Sequence, residues 1–467
     1  MTIRIFRHYW QLALAVLAAA ELLVFFFAPH VAALIRFQTD LATIEASEGP
    51  MWPRGLVFAG TMFFMMGAMG LYHARQRSRL TGLLARVAAS VTLGSMVLAI
   101  VFYLVPIIAL GRGVLLLTSL LAFGGVVLLR IVFDKLARED IFKRRVLVFG
   151  SGSRAGSIAQ LRRRTDRRGF TVVGYIPADG DDPEGVADSL RVKLPGSLLE
   201  LCASFQVDEI VVAMDDRRRQ FPMAELLECR LEGVEVTELV TFLERETGKV
   251  RLDVLNPSWM IFSEGFRQGR VNNLLERIFD VVASLALLAV TWPFMLLTAI
   301  AIKLEEGPGA PLLYGQMRVG QYGRPFRLLK FRSMRPDAES DGRARWADTN
   351  DPRVTRVGGF IRKVRIDELP QIINVLRGEM SFVGPRPERP EFVTSLNDRI
   401  PYYRERHTVK PGITGWAQLC YPYGSSEQDA LEKLQYDLYY VKNHSLLFYI
   451  AILVQTVEVV LWGKGAR

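Results

Sequence analysis

Four apolar stretches fill the first 134 residues, at about 10–29, 55–72, 84–106 and 113–133. Each is close to the roughly 20 residues that carry a helix across a bilayer, so the pattern predicts a four-helix transmembrane region over 1–136. The pattern then changes. Arg145-Val146-Leu147-Val148-Phe149 reads as a buried strand and runs into Gly150, Gly152 and Gly156 at the start of a helix. Further strands are predicted at 171–176 and 209–213, with a helix around 197–205. This alternation predicts a parallel sheet of the Rossmann type over 144–248. Residues 249–273 read as a linker containing Pro257, and a last unit spans 274–467.

That unit opens with an apolar run, Val281 to Ile302, long enough to span but flanked by positive charge at both ends. Arg267, Arg270 and Arg277 precede it; Lys303 and Arg318 follow. Upstream, Arg4 and Arg7, then Arg75, Arg77 and Arg79, then Lys135, Arg138, Lys143, Arg144 and Arg145 alternate with loops poorer in positive charge. The positive-inside rule puts the N-terminus and residue 145 in the cytosol and opposes a further crossing at 281–302. Pro293 lies near the middle of that run. Proline removes a backbone donor and clashes with the preceding turn, so the expectation is a re-entrant helix, about 277–303, broken at Pro293, with Thr291 as a partner for the freed carbonyls. Glu21 and Arg86 fall in or near the N-terminal spans, as functional charges or as helix-packing ones.

Composition supports a membrane protein with soluble parts: half of the 467 residues are hydrophobic, and mean hydropathy is +0.19. The net charge of +10 suits anionic lipid and phosphorylated substrates. No zinc finger, RNA-binding aromatic motif or basic amphipathic helix points to nucleic acid. Cys202, Cys229 and Cys420 are far apart, which argues against a disulfide framework and a zinc site. Arg4 and Arg7 before the first apolar run fit an uncleaved anchor.

The glycines at 150, 152 and 156 are spaced G-x-G-x-x-x-G, one residue longer than the dinucleotide fingerprint, and no acidic residue clearly ends the second strand. Tight-turn glycines are the favoured reading. In the last unit, Gln316-x-Arg318-x-Gly320-x-x-Gly323 leads to Lys330-Phe331-Arg332. Those cations can pair with phosphate or line the solvated face of a hairpin. Asp367 and Glu368 stand before Pro370, where a helix is predicted to start and run through residue 376. Neighbours on a helix point about 100° apart, so the two carboxylates take different jobs: one can attack phosphorus while the other holds a cation. An N-cap with an acidic first turn is the structural alternative. Arg362, Arg365 and Arg386, the last in Gly384-Pro385-Arg386-Pro387, favour phosphate chemistry. Trp416 suits an interface. The apolar stretch from Leu446 to Trp462 contains Gln455 and Glu458 and reads as an amphipathic helix in the headgroup region.

Five motifs carry a resemblance: Lys330-Phe331-Arg332-Ser333-Met334, Asp351-Pro352-Arg353, Asp367-Glu368-Leu369-Pro370-Gln371, Gly384-Pro385-Arg386-Pro387 and Gly412-Ile413-Thr414-Gly415-Trp416. Residues of about 270–467 resemble the monotopic phosphoglycosyl transferases, also called bacterial sugar transferases. The whole chain is similar to their large subclass: a four-helix transmembrane bundle, an α/β Rossmann-like cytosolic domain and a mainly α-helical monotopic catalytic domain with a re-entrant helix. Tyr421-Pro422-Tyr423-Gly424 and the stretch from Asp429 to Asp437 resemble the exopolysaccharide branch linked to exosortase systems.

The resemblance implies transfer of a sugar-1-phosphate from a UDP-sugar to undecaprenyl phosphate, releasing UMP, as the first membrane step of exopolysaccharide synthesis. It implies Asp367 as covalent nucleophile, Glu368 as Mg²⁺ ligand, functional roles for Arg362, Arg386 and Asp437, and Pro293 as the helix break. It also implies a homodimer in the bacterial inner membrane with its catalytic domain facing the cytosol. Two positions depart from the family pattern: Glu276-Arg277 where many members have Lys-Arg, and Val364-Arg365-Ile366 before the Asp. Two other readings compete. A nucleotide-sugar dehydratase would require a second Rossmann fingerprint and a Tyr-x-x-x-Lys pair, neither of which is apparent. A non-catalytic scaffold would tolerate Asp367→Asn.

Overall fold

The computed structural model describes residues 2–5, 8–72, 80–138, 143–161, 169–193, 196–216, 218, 220–255, 257–263, 265–266, 269–335, 353–421, 424 and 426–461. Arg7, Arg75, Arg77, Arg79, Arg267, Asp351-Pro352, Pro422-Tyr423 and Trp462 lie outside the described residues. The chain divides into two compact units, Met1–Phe262 and Ser263–Arg467.

In the first unit, β1 (Thr2–Ile5) and β2 (His8–Gln11) pair antiparallel. They precede α1 (Leu12–Phe37), α2 (Leu41–Glu48), α3 (Met51–Ala68), α4 (Leu80–Leu104) and α5 (Arg112–Arg138). α1 and α4 each pack on α3 and α5. The bundle core contains Phe25, Phe58, Met62, Leu98 and Val126. α1, α4 and α5 are long and apolar enough to cross a membrane; α3 is shorter, at 18 residues, and carries Arg54 in its first turn. α1 continues through Pro29 to Phe37, beyond the end expected from hydropathy. Glu21 is fully buried and receives a forked pair from Arg130, at 2.6 and 3.0 Å. Arg130 also donates to the Leu71 carbonyl at 3.2 Å, and Arg86 donates to the Met69 carbonyl at 3.3 Å. Glu21 thus ties α1 to α5 through Arg130, and Arg86 ties α4 to the end of α3.

The same unit continues with β3 (Arg144–Phe149), α6 (Ser153–Ala159), β4 (Phe170–Ile176), α7 (Leu198–Phe205), β5 (Glu209–Val212), α8 (Met223–Leu231), β6 (Glu235–Glu238) and α9 (Leu239–Thr247). The strands form one parallel sheet in the order β4-β3-β5-β6. β6 adds to the predicted strands; Glu-Val-Thr-Glu offers a single apolar residue to the hydrophobic pattern. A side chain at Gly150, which has φ of +124°, would strike the Ala213 backbone at 2.6 Å. The amides behind the glycine turn are already taken. Asp215 accepts from the Ser153, Arg154 and Asp182 N–H groups at 2.9, 2.8 and 3.1 Å, and Asp181 accepts from Ser151 N–H at 2.6 Å. Although burial works against it, these donors hold the Asp215 carboxyl below its ordinary range. The turn is thus satisfied by the protein's own carboxylates. α10 (Pro257–Phe262) lies within the predicted linker.

The second unit is led by α11 (Arg270–Glu306), followed by the antiparallel hairpin β7 (Leu313–Val319) and β8 (Pro325–Phe331). Then come α12 (Arg356–Lys363), α13 (Gln371–Arg377), β9 (Ser381–Val383), α14 (Pro390–Arg399), β10 (Gly412–Thr414), α15 (Trp416–Cys420), α16 (Glu427–Lys442) and α17 (Leu446–Leu461). β9 and β10 pair in parallel. The helix does not end at Pro293: α11 continues through it, because one proline removes one amide. Thr291 donates to the Leu287 carbonyl at 2.7 Å, one turn back, rather than to the Ala289 carbonyl that Pro293 cannot serve. Trp416, expected at an interface, packs against Phe448 and Tyr439, with ring centroids 5.2 and 6.2 Å away. α17 has 16 residues, with Phe448, Tyr449 and Ile452 buried, shorter than a span of about 20 residues.

Candidate active site

The site is built where three local structures meet. β8 carries Lys330 on a strand whose Phe326 and Leu328 pack on Val375 of α13 and on Met380. Asn374, fully buried, locks α13 to the strand edge: its Oδ1 accepts from Leu329 N–H at 3.0 Å, and its amide donates to the Arg327 carbonyl at 2.8 Å. At the far end of α13, Arg277 of α11 donates to the Val375 and Leu376 carbonyls, at 2.6 and 2.5 Å. Its charge meets the negative end of the helix.

Asp367 and Glu368 lie ahead of α13, not in its first turn. α12 ends at Lys363, Arg365 takes a left-handed conformation with φ of +62°, and Ile366–Glu368 form a 3-10 turn. Pro370 then caps α13. The left-handed residue ends α12 and sets the Asp-Glu pair in a 3-10 turn of its own, which the hydrophobic pattern does not reveal.

The two carboxylates have opposite electrostatics. Glu368 accepts from the Lys330 ammonium at 3.0 Å, and the Arg365 guanidinium lies 3.7 Å away. Against the cost of burial, Lys330, Arg386 and Arg365 hold its carboxyl down at about 2. Asp367 is 8% exposed, and its Oδ1 is buried without a hydrogen-bond partner. Burial raises its carboxyl, and adjacent Glu368 adds to the rise, while Lys330, Arg365 and Arg362 pull the other way. An orphaned, desolvated carboxylate among cations is a poor structural residue and a good nucleophile.

Arg386 is held through its backbone. Gly384 N–H donates to the Thr414 carbonyl at 2.8 Å, and Gly412 N–H to the Pro385 carbonyl at 3.0 Å. A side chain at Gly384 would meet the Lys410 carbonyl at 2.2 Å. Arg406 donates to the Arg386 carbonyl at 3.0 Å and forks onto Asp437 at 3.0 and 2.8 Å. Asp437 is 2% exposed and is linked to the Arg386 turn through Arg406. Arg406 was not among the sequence candidates; it stands in a run of charged residues, Arg404, Glu405, Arg406, His407 and Lys410, where nothing in one dimension marks the cation that turns inward. Arg318 donates to the Pro387 carbonyl at 3.1 Å and lies 3.6 Å from Glu388, bracing the same turn. Arg332 leaves a buried Nε without a partner. Arg362, in the last turn of α12, acts on Asp367 by charge. Pro293 is remote from this cluster in sequence and lies mid-helix in α11.

Among the described residues no group of three or more His, Cys, Asp or Glu side chains could hold a metal by itself. The orphaned Asp367 oxygen and the neighbouring Glu368 do fit Mg²⁺, which takes one or two carboxylates and completes its shell with water and substrate phosphate.

Residues 271–463 match the family described as bacterial sugar transferase. The chain is 42% identical over 242 residues to a UDP-N-acetylgalactosamine-undecaprenyl-phosphate N-acetylgalactosaminephosphotransferase of Aeromonas hydrophila, covering 52% of this chain and 56% of that protein. It is 32% identical to an undecaprenyl-phosphate glucose phosphotransferase of Komagataeibacter xylinus, over 69% of this chain and 60% of the relative. It is 35% identical to the UDP-glucose:undecaprenyl-phosphate glucose-1-phosphate transferase of Escherichia coli strain K12, over 68% of this chain and 67% of the relative. The matches thus span a little over half of the first two relatives' lengths.

Proposed function

Because the chain belongs to the bacterial sugar transferases, a family of phosphoglycosyl transferases, we propose that it moves a sugar-1-phosphate from a UDP-sugar to undecaprenyl phosphate through a covalent Asp367 intermediate. The observation that carries this is Asp367 itself: buried, orphaned at Oδ1, and set among Lys330, Arg362 and Arg365. In the first step an Asp367 oxygen bonds to the sugar-bearing phosphorus, the bond from that phosphorus to the bridging oxygen breaks, and UMP leaves with the electron pair. In the second, the lipid phosphate oxygen bonds to the same phosphorus and the Asp367 bond breaks, restoring the carboxylate. Arg386 and Arg362 neutralise phosphate charge, and Lys330 fixes Glu368. Mg²⁺, bound by Glu368 and substrate phosphate, would supply further charge neutralisation.

The proposal also covers how the site meets the lipid. α11 exposes Val290, Trp292, Phe294, Leu296, Leu297 and Ile300, yet both its ends are anchored in one compact unit. Asp280 accepts from Ser381 and Tyr449, at 3.1 and 2.5 Å. Glu305 accepts from the Arg356 and Val357 amides, at 2.8 and 2.9 Å. A straight helix from 280 to 305 measures about 38 Å, more than the ~30 Å hydrocarbon core. A true crossing would separate these anchors by a bilayer. This supports a monotopic helix, continuous but bent at Pro293, that enters and leaves by the cytosolic face of the inner membrane. The parallel sheet is read as a Rossmann-like accessory domain without a dinucleotide, supported by the Asp215 carboxylate at its glycine turn.

The test is UMP release from a panel of UDP-sugars, starting with UDP-glucose and UDP-N-acetylgalactosamine, with Mg²⁺ and undecaprenyl phosphate. Release from one donor, lost with Asp367→Asn, supports the reading and names the sugar; release that survives the substitution overturns the role of Asp367.

A further inference from the structure

β7 faces the wrong way for a purely structural strand. Side chains alternate along it. The register pairs Tyr314 with Lys330, Gln316 with Leu328 and Arg318 with Phe326, so Tyr314, Gln316 and Arg318 share one face of the hairpin with Lys330. That face is the inward one: Phe326 and Leu328 are buried against Val375 and Met380, and Lys330 reaches Glu368 at 3.0 Å. The apolar residues of β7, Leu313 and Met317, point the other way and are exposed. A strand built for packing alone puts its leucine and methionine inside and its polar residues out. The reversal indicates that the polar row has a task at the site.

The row is oriented in one direction. Arg318 can only donate, so its 2.6 Å bond to Gln316 fixes the amide oxygen on that side. The Gln316 amide nitrogen therefore donates to the Tyr314 hydroxyl, at 3.2 Å. The Tyr314 oxygen is an acceptor within the row, and its O–H is the donor in which the row ends. A guanidinium at the head of such a chain polarises each bond after it. That head also donates to the Pro387 carbonyl, next to Arg386, at 3.1 Å, whereas Tyr314 at the tail lies opposite Lys330. The row thus runs from the Arg386 turn to the Asp-Glu pair, beside the path of a diphosphate held between Arg386 and Glu368. Phosphate oxygens accept, which matches a row that ends in a donor.

We propose that Tyr314 donates to a non-bridging diphosphate oxygen of the nucleotide sugar, and that Gln316 is its positioning residue, keeping the hydroxyl hydrogen turned toward the substrate. The inference rests on the reaction proposed above and deepens it, adding a neutral donor to the cations. A bond to diphosphate contributes alike for every sugar.

The experiment titrates the detergent-solubilised full chain with UDP and Mg²⁺, and with uridine in competition. Tyr314→Phe keeps the ring and removes the hydroxyl. It should weaken UDP binding roughly tenfold, the loss of one hydrogen bond to a charged acceptor, and leave uridine unchanged. Equal weakening of UDP and uridine would put the hydroxyl at the base and overturn the proposal. Unchanged UDP affinity would overturn it as well, whether Tyr314 touches the sugar or nothing. Gln316→Met should also weaken UDP, but add nothing in the Tyr314→Phe background. Losses that multiply would overturn the positioning role and show that Gln316 acts through Arg318. UDP binding needs no turnover. An unsubstituted chain that binds UDP, with Tyr314→Phe unchanged, contradicts the row alone; an unsubstituted chain that does not bind UDP contradicts the proposed donor class and the row with it.

Discussion

The Lys330 ammonium sits 3.0 Å from Glu368 Oε1, whereas the adjacent residue in sequence, Asp367, keeps a buried oxygen with no partner. One cation thus splits a pair of neighbouring carboxylates into two kinds of group. Glu368 is satisfied and fully ionised at neutral pH. Asp367 is desolvated and available.

That split has opposite stability consequences for the two amides that mimic each residue. A carboxyl raised by the fold disfavours its ionised form, so Asp367 costs stability at neutral pH, and the cost disappears as pH falls below the ordinary aspartate value. Asp367→Asn should therefore abolish turnover while leaving the unfolding temperature unchanged or higher at pH 7. Glu368 runs the other way. Held at about 2 against an ordinary 4.5, it contributes stability above pH 4.5 that is lost as pH falls toward 2, worth about 3 kcal/mol at most. Glu368→Gln should lower the unfolding temperature at pH 7 and differ little from the parent near pH 2. Equal shifts for both variants would contradict the assignment.

A raised Asp367 carboxyl also shapes the rate profile. The nucleophile must be ionised, so kcat/KM should fall on the acid side at a pH above the ordinary carboxylate value of 3.8. An acid limb at or below that value would mean that burial does not govern this group.

Arg406 and Asp437 form a buried pair whose output is the Arg386 carbonyl. Breaking such a pair by removing one partner costs about 3–5 kcal/mol, so Asp437→Asn should destabilise the protein. If Asp437 acts only by holding the turn, Asp437→Asn combined with Arg386→Ala should be no slower than Arg386→Ala alone, within about twofold. Effects that multiply would show that Asp437 makes a contact of its own.

Sequence alone exposed what repeats or alternates. The apolar windows gave the four apolar helices of the bundle, α1, α3, α4 and α5, and β3, β4 and β5 came from runs rich in β-branched residues. The shorter elements escaped for identifiable reasons: β6 is half glutamate, and the left-handed Arg365 has no glycine to announce it. The candidate residues around Asp367 could be named because charge in a Pro- and Gly-rich motif is visible in one dimension. Their division of labour was not, since it depends on which guanidinium faces which oxygen. Asp437 was named through the family resemblance, while the buried Arg406 that pairs with it lies 31 residues away and carried no signal of its own.

The placement of α11 can be checked by topology reporters. Fusions after Arg145 and after Lys303 should both report the cytosolic side. A periplasmic signal after Lys303 would mean that the helix crosses and that its Asp280 and Glu305 anchors do not form together in the membrane.

The most direct test of the central claim is exchange of isotopically labelled UMP into the UDP-sugar with Mg²⁺ and no lipid acceptor. A covalent Asp367 intermediate predicts that label enters the nucleotide sugar and that Asp367→Asn reduces this exchange to background. Exchange that begins only when undecaprenyl phosphate is added would contradict the two-step account and indicate direct transfer between the substrates.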